Sequence, residues 1–383
     1  MRCFIFILLV CHSFFSVAQI QRCSTDEYRQ SLKERGLYNY NKKEIVKRQS
    51  YGGNYTIPVV VHVLYNNEDQ NISDNRIYSQ IEILNEDYNA SNLDLNNVPE
   101  EFQPFIGNVG LSFCLASTDP VGNLFSGINR VYTEMESFQG FTDNMKKTSE
   151  GGVDAWDTQR YLNIWVCDLN GNTLGFATMP GDVDDTTLDG VVIDYEYFGV
   201  DMSSSSPYNL GRTGTHEVGH YFNLEHTFYA GCSDWDDCDD TPAISSPTYG
   251  CPSFPQESCQ SNNMTMNYMD YTNDACMYMF TVCQAERMID ALLYYRPNLI
   301  TDSDCSVNTQ ETMSLENSFI YPNPVTDFLH VDTQNKIISL SDIYGRQLFS
   351  NYFTSVSNLD LSYLSSGTYI LTIGKETYKL IKK

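Results

Sequence analysis

The sequence is short of positive charge. Its 383 residues contain 23 Lys and Arg against 49 Asp and Glu, which gives a formal net charge of −26. Proteins that bind nucleic acids or anionic membranes present a basic face, so this composition argues against either partner. The charge is also uneven: residues 19–50 carry eight basic and four acidic residues, whereas residues 51–300 carry eight and 36. A basic segment lying on an acidic body that it inhibits would explain this asymmetry, and so would solubility alone.

Long apolar runs are missing beyond the start of the chain. After Met1-Arg2, the stretch from Phe4 to Val17 is apolar apart from His12, Ser13 and Ser16, and residues 16–18 supply the small side chains of a cleavage site. This run is shorter than the roughly 20 residues that a membrane-spanning helix needs. We therefore interpret residues 1–18 as a signal peptide and expect an exported, soluble protein without a membrane span.

Cysteine is plentiful, with 12 in the chain, two of them in the signal peptide. The others would enter an oxidising compartment, where disulfides persist. Six lie between Cys232 and Cys283. Their spacing alone does not give the pairing.

Several catalytic signatures are absent: we find no Ser/His/Asp order and no glycine loop of the kind that cradles phosphate. Histidine is scarce, with six in the chain, yet three fall within residues 216–226, HEVGHYFNLEH. Residues four apart share one face of a helix, so His216 and His220 can bind one ion. Glu217 is adjacent and can reach a water molecule on that ion.

The third histidine requires a turn in the chain. His226 lies six residues after His220, so a continuing helix would carry it away, and the chain must turn near Asn223. That turn favours a left-handed backbone, which glycine usually supplies and asparagine tolerates best among the other residues. Three neutral imidazoles leave an open position for water, as in catalytic zinc sites. Zinc lowers the pKa of that water and Glu217 takes its proton, so that hydroxide attacks a carbonyl. Incidental histidines are the alternative, which their clustering around a glutamate argues against.

Hydrophobic patterning indicates an α/β layer followed by a separate β-rich segment. Residues 56–64 form a β-branched run typical of a buried strand, and Ser73 is a candidate N-cap for a helix over 74–88. Short β-type runs alternate with turns over 318–383, which predicts a small all-β sandwich. Further strands are expected at Leu111–Leu115, Leu162–Cys167 and Val191–Asp194, and helices near 26–35, 213–222 and 284–295.

The histidine motif and its surroundings resemble the pappalysin family of metzincin metalloproteases, including the ulilysin-like bacterial enzymes. The resemblance covers about residues 55–300 and implies an α/β (α+β) fold with a mixed sheet and an active-site helix. Asn223 stands where the family pattern has glycine. Beyond the zinc motif, the matching residues are His226-Thr-Phe228, Asp240-Thr-Pro242, Asn267-Tyr-Met-Asp-Tyr271, Cys276-Met-Tyr-Met-Phe-Thr281 and Gln284-Ala-Glu-Arg-Met288.

The resemblance implies roles for further residues. Met269 would form the Met-turn beneath the zinc, and Tyr271 would stabilise the oxyanion of the tetrahedral intermediate. By themselves these residues would be an ordinary core methionine and a surface tyrosine. An upper-rim strand that pairs antiparallel with an extended substrate would be formed by Leu174, Gly175, Phe176 and Ala177.

The family also binds calcium near its DTP sequence. Here the stretch 234–241 is rich in carboxylates, the ligands that calcium prefers, although a solvated acidic loop is the alternative. The candidate ligands are Asp236, Asp240 and the carbonyls of Cys238 and Thr241. Mapped by order onto the family, the flanking cysteines would pair as Cys232–Cys259 and Cys251–Cys276. Cys238 and Cys283 are additional to that pattern.

Cys23 lies just after the signal peptide. A thiolate is a soft zinc ligand that can occupy the open position and displace the catalytic water. Pappalysin-like proenzymes often carry a cysteine here, so the resemblance implies a cysteine-switch zymogen, with Lys47-Arg48 as a processing site. A disulfide between Cys23 and Cys305 is the alternative.

The last segment resembles the type A sorting domain of the type IX secretion system, which implies passage across a bacterial outer membrane. A terminal binding module is the alternative. The matching residues are Tyr321-Pro-Asn-Pro324, Asp342-Ile-Tyr-Gly-Arg346, 359–364, Gly367-Thr-Tyr369 and Lys379-Leu-Ile-Lys382. The expected organisation is a signal peptide at 1–18, a propeptide at 19–50, a metzincin domain at 51–300, a linker at 301–317 and a sorting domain at 318–383.

These features predict a secreted or surface-attached zinc endopeptidase that also binds calcium. Its partners would be protein or peptide substrates and the type IX secretion machinery, and a monomer is expected. One alternative is a non-catalytic adhesin or binding protein on a metzincin scaffold, which the intact Glu217, histidines and Tyr271 argue against. The other is zinc hydrolysis of a non-peptide bond.

Overall fold

A computed structural model gives the fold of the chain. It describes residues 21–41, 54–171, 173–233, 236–300, 305, 320–331, 336–342, 346–353, 357–373 and 376–383. The predicted signal peptide, the Lys47-Arg48 pair and nearly all of the predicted linker lie outside these residues. The chain divides into two compact units, Met1–Val307 and Asn308–Lys383.

The first unit contains a six-stranded mixed sheet in the order β2-β1-β5-β8-β7, with β3 also paired to β1. All of its pairs are parallel except β7 with β8, so β7 is an antiparallel edge strand. Two short ribbons, β4 with β6 and β9 with β10, lie apart from this sheet. The strands are β1 (Tyr55–Tyr65), β2 (Leu111–Leu115), β3 (Ile128–Tyr132), β4 (Phe138–Gln139), β5 (Leu162–Cys167), β6 (Leu169–Asn170), β7 (Gly175–Ala177), β8 (Val191–Asp194), β9 (Glu257–Ser258) and β10 (Ser261–Asn262).

Strand β1 organises the sheet because it is long and buried on both faces. Its residues Ile57–Leu64 are all buried, which explains the β-branched run. One edge of β1 pairs with β2 over its first half and with β3 over its second half, while the other edge pairs with β5. The sequence did not predict β3, since only Ile128 of that strand is buried and its pattern is weak.

Four α-helices are found in the described part of this unit: α1 (Thr25–Glu34), α2 (Asp74–Tyr88), α3 (Arg212–Tyr221) and α4 (Val282–Tyr295). Helix α2 begins as predicted, with the Ser73 hydroxyl accepting a hydrogen bond from the Arg76 amide at 3.3 Å. Helix α4 begins at a capping box formed by Thr281 and Gln284. Apolar residues of α2, α3 and α4 share one core with the sheet. The mixed sheet with an active-site helix confirms the fold class expected from the sequence.

The second unit is all-β and antiparallel. Strands β11, β12 and β15 form one sheet, and β14, β13, β16 and β17 form the other. Both sheets contribute to a buried core that includes Leu329, Leu340 and Leu371. The strands are β11 (Ile320–Tyr321), β12 (Phe328–Val331), β13 (Lys336–Asp342), β14 (Gln347–Phe353), β15 (Ser357–Asp360), β16 (Gly367–Ile373) and β17 (Glu376–Lys382). Among the described residues of the whole chain, we find no helix that is both long and apolar enough to cross a bilayer.

Candidate active site

Helix α3 presents two histidines on one buried face. The ring Nε2 atoms of His216 and His220 lie 3.2 Å apart. Their Nδ1 atoms point away and donate to backbone carbonyls, His216 to Tyr268 and His220 to Leu224, each at 2.7 Å. A protonated Nδ1 leaves the Nε2 lone pair directed at the shared space, the arrangement that metal-binding histidines use.

Asn223 turns the chain and brings the third histidine to the first two. Its φ is +77°, in the left-handed region that the spacing of His220 and His226 predicts there. Helix α3 ends at this turn, where the amide of Leu224 donates to the carbonyl of Gly219 at 3.0 Å. His226 then places its Nε2 atom 3.0 Å from that of His220.

The three Nε2 atoms fit a tetrahedral zinc. Ligands about 2.1 Å from such an ion lie about 3.4 Å from one another, close to the separations of 3.0 and 3.2 Å found here. Burial, followed by the neighbouring imidazoles, holds the pKa of His216 well below its usual value. The neutral form of the His216 ring is therefore favoured, and metal binding requires a neutral imidazole.

Glu217 lies beside this cluster and is fully buried. Burial raises the pKa of its carboxyl to about 8, although hydrogen bonds from Cys23 and Thr25 act in the opposite direction. Its Oε2 atom accepts both bonds, from Cys23 Sγ at 3.5 Å and from Thr25 Oγ1 at 3.1 Å. Its Oε1 atom is buried without a hydrogen-bond partner. A Cβ atom at Gly175 would come within 3.0 Å of the Glu217 side chain, so glycine allows this close approach.

Met269 and Tyr271 both lie close to the histidine cluster, Met269 against helix α3 and Tyr271 beside His226. Met269 is fully buried, and a Cβ atom on Gly219 of α3 would come within 2.6 Å of the Met269 sulfur. The methionine therefore packs directly against the histidine helix. The Tyr271 hydroxyl lies 3.2 Å from His226 Nε2 and 3.3 Å from the Cys23 carbonyl oxygen. Burial raises the pKa of Tyr271, so the side chain keeps its proton and can donate it in a hydrogen bond.

Cys23 reaches the histidine cluster from the N-terminal segment. Its Sγ atom and ring nitrogens of His216, His220 and His226 all lie within 4.8 Å of one another. The alternative disulfide to Cys305 is not formed, because Cys305 pairs with Cys114.

The segment around Cys23 lies along the free edge of β7. The amide of Leu174 donates to the Gln21 carbonyl at 3.1 Å, and the amide of Ser24 donates to the Gly175 carbonyl at 3.0 Å. Gln21 and Thr173 form a parallel bridge. The edge predicted to bind substrate is thus occupied by this chain's own backbone, which runs parallel to β7.

Arg22 is the main functional candidate that the sequence alone does not reveal. The side chain is fully buried, and its Nη2 atom lies 2.9 Å from Asp274 Oδ1. Its guanidinium also lies 4.6 Å from the centre of the Tyr208 ring. Only its position next to Cys23 could have drawn attention to it, since Asp274 is 252 residues away.

Helix α1 continues from this segment and binds acidic residues of the body. Arg29 lies 3.0 Å from both Asp182 and Glu225, and Arg35 lies 2.6 Å from Asp143. Pairing between the basic N-terminal segment and the acidic body is thus present in the fold.

The acidic loop carries two carboxylate oxygens that lack partners. Asp236 Oδ2 and Asp240 Oδ1 are buried without a hydrogen-bond partner. The Thr241 hydroxyl donates, at 2.5 Å to Asp236 Oδ1 or at 2.7 Å to the Cys238 carbonyl. Cys232 pairs with Cys259 and Cys251 with Cys276, the pairing implied by the resemblance.

Comparisons with known proteins agree with this geometry. The peptidase family described as pregnancy-associated plasma protein-A matches residues 146–293, and the secretion system C-terminal sorting domain matches residues 319–383. An extracellular metalloprotease of Podospora anserina is 34% identical over 212 residues, which are 53% of this chain and 67% of that protein. One from Pyricularia oryzae is 32% identical over 251 residues, covering 63% of this chain and 76% of the relative.

Solved structures of mirolysin from Tannerella forsythia are also similar. Mature mirolysin in complex with a cleaved peptide is 44% identical, has a TM-score of 0.65 and is covered over its whole length by 67% of this chain. A promirolysin variant is 43% identical, with a TM-score of 0.64, and the match covers 72% of this chain and 90% of that one. The chain therefore belongs to the pappalysin family and is a secreted zinc-dependent endopeptidase with a type IX sorting domain.

Proposed function

We propose that the enzyme cleaves peptide bonds with His216, His220 and His226 as zinc ligands, Glu217 as general base and Tyr271 as oxyanion donor. The observation that carries this assignment is the convergence of three Nε2 atoms beside a buried carboxylate. Bound zinc would lower the pKa of water and polarise the substrate carbonyl.

The chain's own residues would then manage the protons and the charge. Glu217 accepts a proton from the attacking water and returns it to the leaving amine. The Tyr271 hydroxyl donates a hydrogen bond to the developing oxyanion. Met269 supports the floor of the site by packing against α3.

A substrate would add to the free edge of β7 in an extended conformation. Leu174, Gly175 and Ala177 offer the backbone groups that now bind residues 21–25, and Phe176 lies between them in the same strand. Backbone hydrogen bonds give affinity without selecting the substrate's sequence. Selectivity must therefore come from side-chain pockets.

Arg22 indicates what one such pocket accepts. A substrate would run antiparallel to β7, whereas the bound segment runs parallel to it. The residue before Cys23 therefore corresponds to a substrate residue after the scissile bond. Asp274 and Tyr208 would bind arginine there, so the enzyme would cut before arginine.

We also propose that residues 19–50 keep the enzyme latent. The Cys23 thiolate would occupy the position of the catalytic water. The backbone groups of the residues on either side of Cys23 would block the edge of β7. Activation requires removal of this segment, with Lys47-Arg48 as the candidate cleavage site and residues 51–300 as the released catalytic domain.

Calcium would bind the loop at 236–241, where it would be structural. Asp236 and Asp240 supply the two unpartnered oxygens, and Cys238 and Thr241 supply carbonyls. Residues 318–383 would be recognised by the type IX secretion machinery, and the catalytic domain would act as a monomer.

The decisive experiment compares cleavage of a denatured protein by the mature enzyme, by its Glu217→Ala variant and by the enzyme after zinc chelation. We expect both controls to lose at least about 10³-fold in kcat/KM, since the proton acceptor or the metal is gone. Restored activity on adding zinc, in the chelated sample alone, separates the two losses. A folded, zinc-loaded wild-type enzyme that cuts nothing would contradict the assignment.

A further inference from the structure

Two cysteine thiols meet between the acidic loop and helix α4. Cys238 Sγ, Cys283 Sγ and a carboxylate oxygen of Asp240 lie within 4.8 Å of one another. Cys238 belongs to the loop and is 1% exposed, whereas Cys283 lies in the first turn of α4 and is partly exposed. These cysteines are the pair left over when the Cys232–Cys259 and Cys251–Cys276 bonds are assigned.

Backbone contacts already hold the two elements together. The amide of Cys283 donates to Asp240 Oδ2 at 2.9 Å, so the loop is fixed to the start of α4. One turn later, Arg287 lies 3.1 Å from Asp237 Oδ2 and donates to the Asn223 carbonyl at 2.7 Å. The loop, α4 and the turn that leads to His226 therefore form one connected group.

We propose that Cys238 and Cys283 form a fourth disulfide after export, which fastens this group together. The enzyme is secreted, and thiols at this separation in an oxidising compartment are oxidised when a disulfide-carrying oxidoreductase can reach one of them. Cys283 is the accessible partner. Cys238 is enclosed and resolves the reaction.

The exchange balances with such an oxidant. The Cys283 thiolate attacks the oxidant's disulfide, forms a mixed disulfide and releases the first sulfur of the oxidant as a thiolate. The Cys238 thiolate then attacks Cys283 Sγ and releases the second. The two cysteines lose two electrons and two protons, and the oxidant's disulfide becomes a dithiol.

The bond would have a direct consequence for the zinc site. It would close a loop from 238 to 283 that interleaves with the Cys232–Cys259 bond and encloses the Cys251–Cys276 bond, Met269 and Tyr271. It would also restrain Arg287, which contacts the turn before His226. We expect the oxidised enzyme to hold its zinc more firmly than a variant that lacks the bond.

Thiol counting on the full exported chain tests the proposal. The protein is denatured without reductant, treated with iodoacetamide and weighed, and its peptides are mapped. Among the described residues, four cysteines carry thiols: Cys23, Cys167, Cys238 and Cys283. The proposal predicts that only Cys23 and Cys167 are modified and that a peptide pair joined through Cys238 and Cys283 is found.

A single cysteine variant changes the thiol count in opposite directions, depending on whether the disulfide is present. With the disulfide, Cys283→Ser exposes Cys238 and raises the thiol count by one. Without the disulfide, the same variant lowers the count by one. Cys167→Ser is the matched control, because it removes a buried thiol and lowers the count by one in both cases. We also expect Cys283→Ser to lower the Tm by roughly 5 °C and to speed zinc release to a chelator.

Two results would overturn the proposal. One is modification of all four cysteines in the parent protein. The other is a second zinc ion per chain, measured by elemental analysis, with both thiols intact, which would make Cys238, Cys283 and Asp240 a metal site instead.

Discussion

The N-terminal segment, residues 21–41, contacts the rest of the first unit through two stretches of different kinds. Residues 21–25 lie along β7 beside the histidine cluster, where backbone bonds to β7, a buried arginine and the Cys23 thiol occupy the proposed substrate site. Helix α1 begins beside the histidine cluster, where Asp26 contacts His226, and beyond that point the segment binds through arginine–carboxylate pairs and two buried side chains, Tyr28 and Leu32. In the proposed latent state, the first stretch would block chemistry, whereas the second would supply affinity. Latency and binding strength should therefore respond to different substitutions.

The largest expected effect is on latency. Cys23→Ala removes the proposed zinc ligand and leaves α1 in place, so the full proenzyme should gain at least about tenfold activity toward a short peptide. The assay is initial rate before any processing, with processing followed by mass. Cys167→Ala, which removes a buried thiol that is not part of the zinc-site cluster, should change nothing. Equal activity in the Cys23→Ala and parent proenzymes would show that the backbone alone imposes latency.

The next effect concerns the arginine pocket. Asp274→Asn keeps the shape of the side chain but removes the charge that Arg22 contacts, a loss of about 2–5 kcal/mol for a buried pair. We expect mature enzyme to lose about 30-fold or more in kcat/KM on peptides with arginine after the cut. Matched peptides with leucine there should be cleaved at nearly the parent rate. An unchanged ratio between the two substrates would remove Asp274 from specificity.

A smaller effect is expected at α1. Arg29→Ala breaks contacts with Asp182 and Glu225 that are partly exposed, so inhibition of mature enzyme by an added 19–50 peptide should weaken about three- to tenfold. Salt should weaken the parent peptide more than the variant. Gln30→Ala is the control, because Gln30 bonds only Glu34 of the same helix. If Arg29→Ala weakened inhibition by the peptide as much as Cys23→Ala does in the same assay, the division between the two stretches would be contradicted.

The smallest effect depends on pH. Burial acts to raise the pKa of Asp143, but Lys146, the Tyr28 hydroxyl and Arg35 outweigh it, and the pKa lies below its usual value. A lowered carboxyl pKa stabilises the fold above about pH 4, and that stabilisation is lost as the pH falls further. In a Glu217→Ala proenzyme, Asp143→Asn should lower the Tm by a few degrees at pH 7 and by less at pH 3.5. A constant difference would rule out the charge of Asp143 as the cause.

The parts that could be predicted from the sequence are those whose evidence is local. His216 and His220 share one helix face by spacing alone, Glu217 is adjacent to the first of them, and the bend at Asn223 follows from the position of His226. Strands with continuous apolar runs, such as Leu162–Cys167, were also predicted within their observed bounds. By contrast, the Arg22–Asp274 pair joins residues 252 positions apart, and nothing near Asp274 distinguishes it from the many other acidic residues.

The same distinction explains the weaker predictions. Strand β3 is stabilised by pairing with the second half of β1. This pairing is a tertiary contact, so the local sequence does not reveal it. The proposed roles of Glu225 and Asp182 depend on where α1 docks, and no periodicity in the sequence encodes that position.

The parallel course of residues 21–25 along β7 has a kinetic consequence. A peptide bound parallel to β7 runs opposite to a substrate, so its carbonyl groups are not oriented for attack. Each molecule is therefore protected from cutting the segment that fills its own active site. The first cut must then come from a different molecule. Activation should therefore show a lag that shortens with enzyme concentration or with a trace of mature enzyme, and dilution should preserve the zymogen.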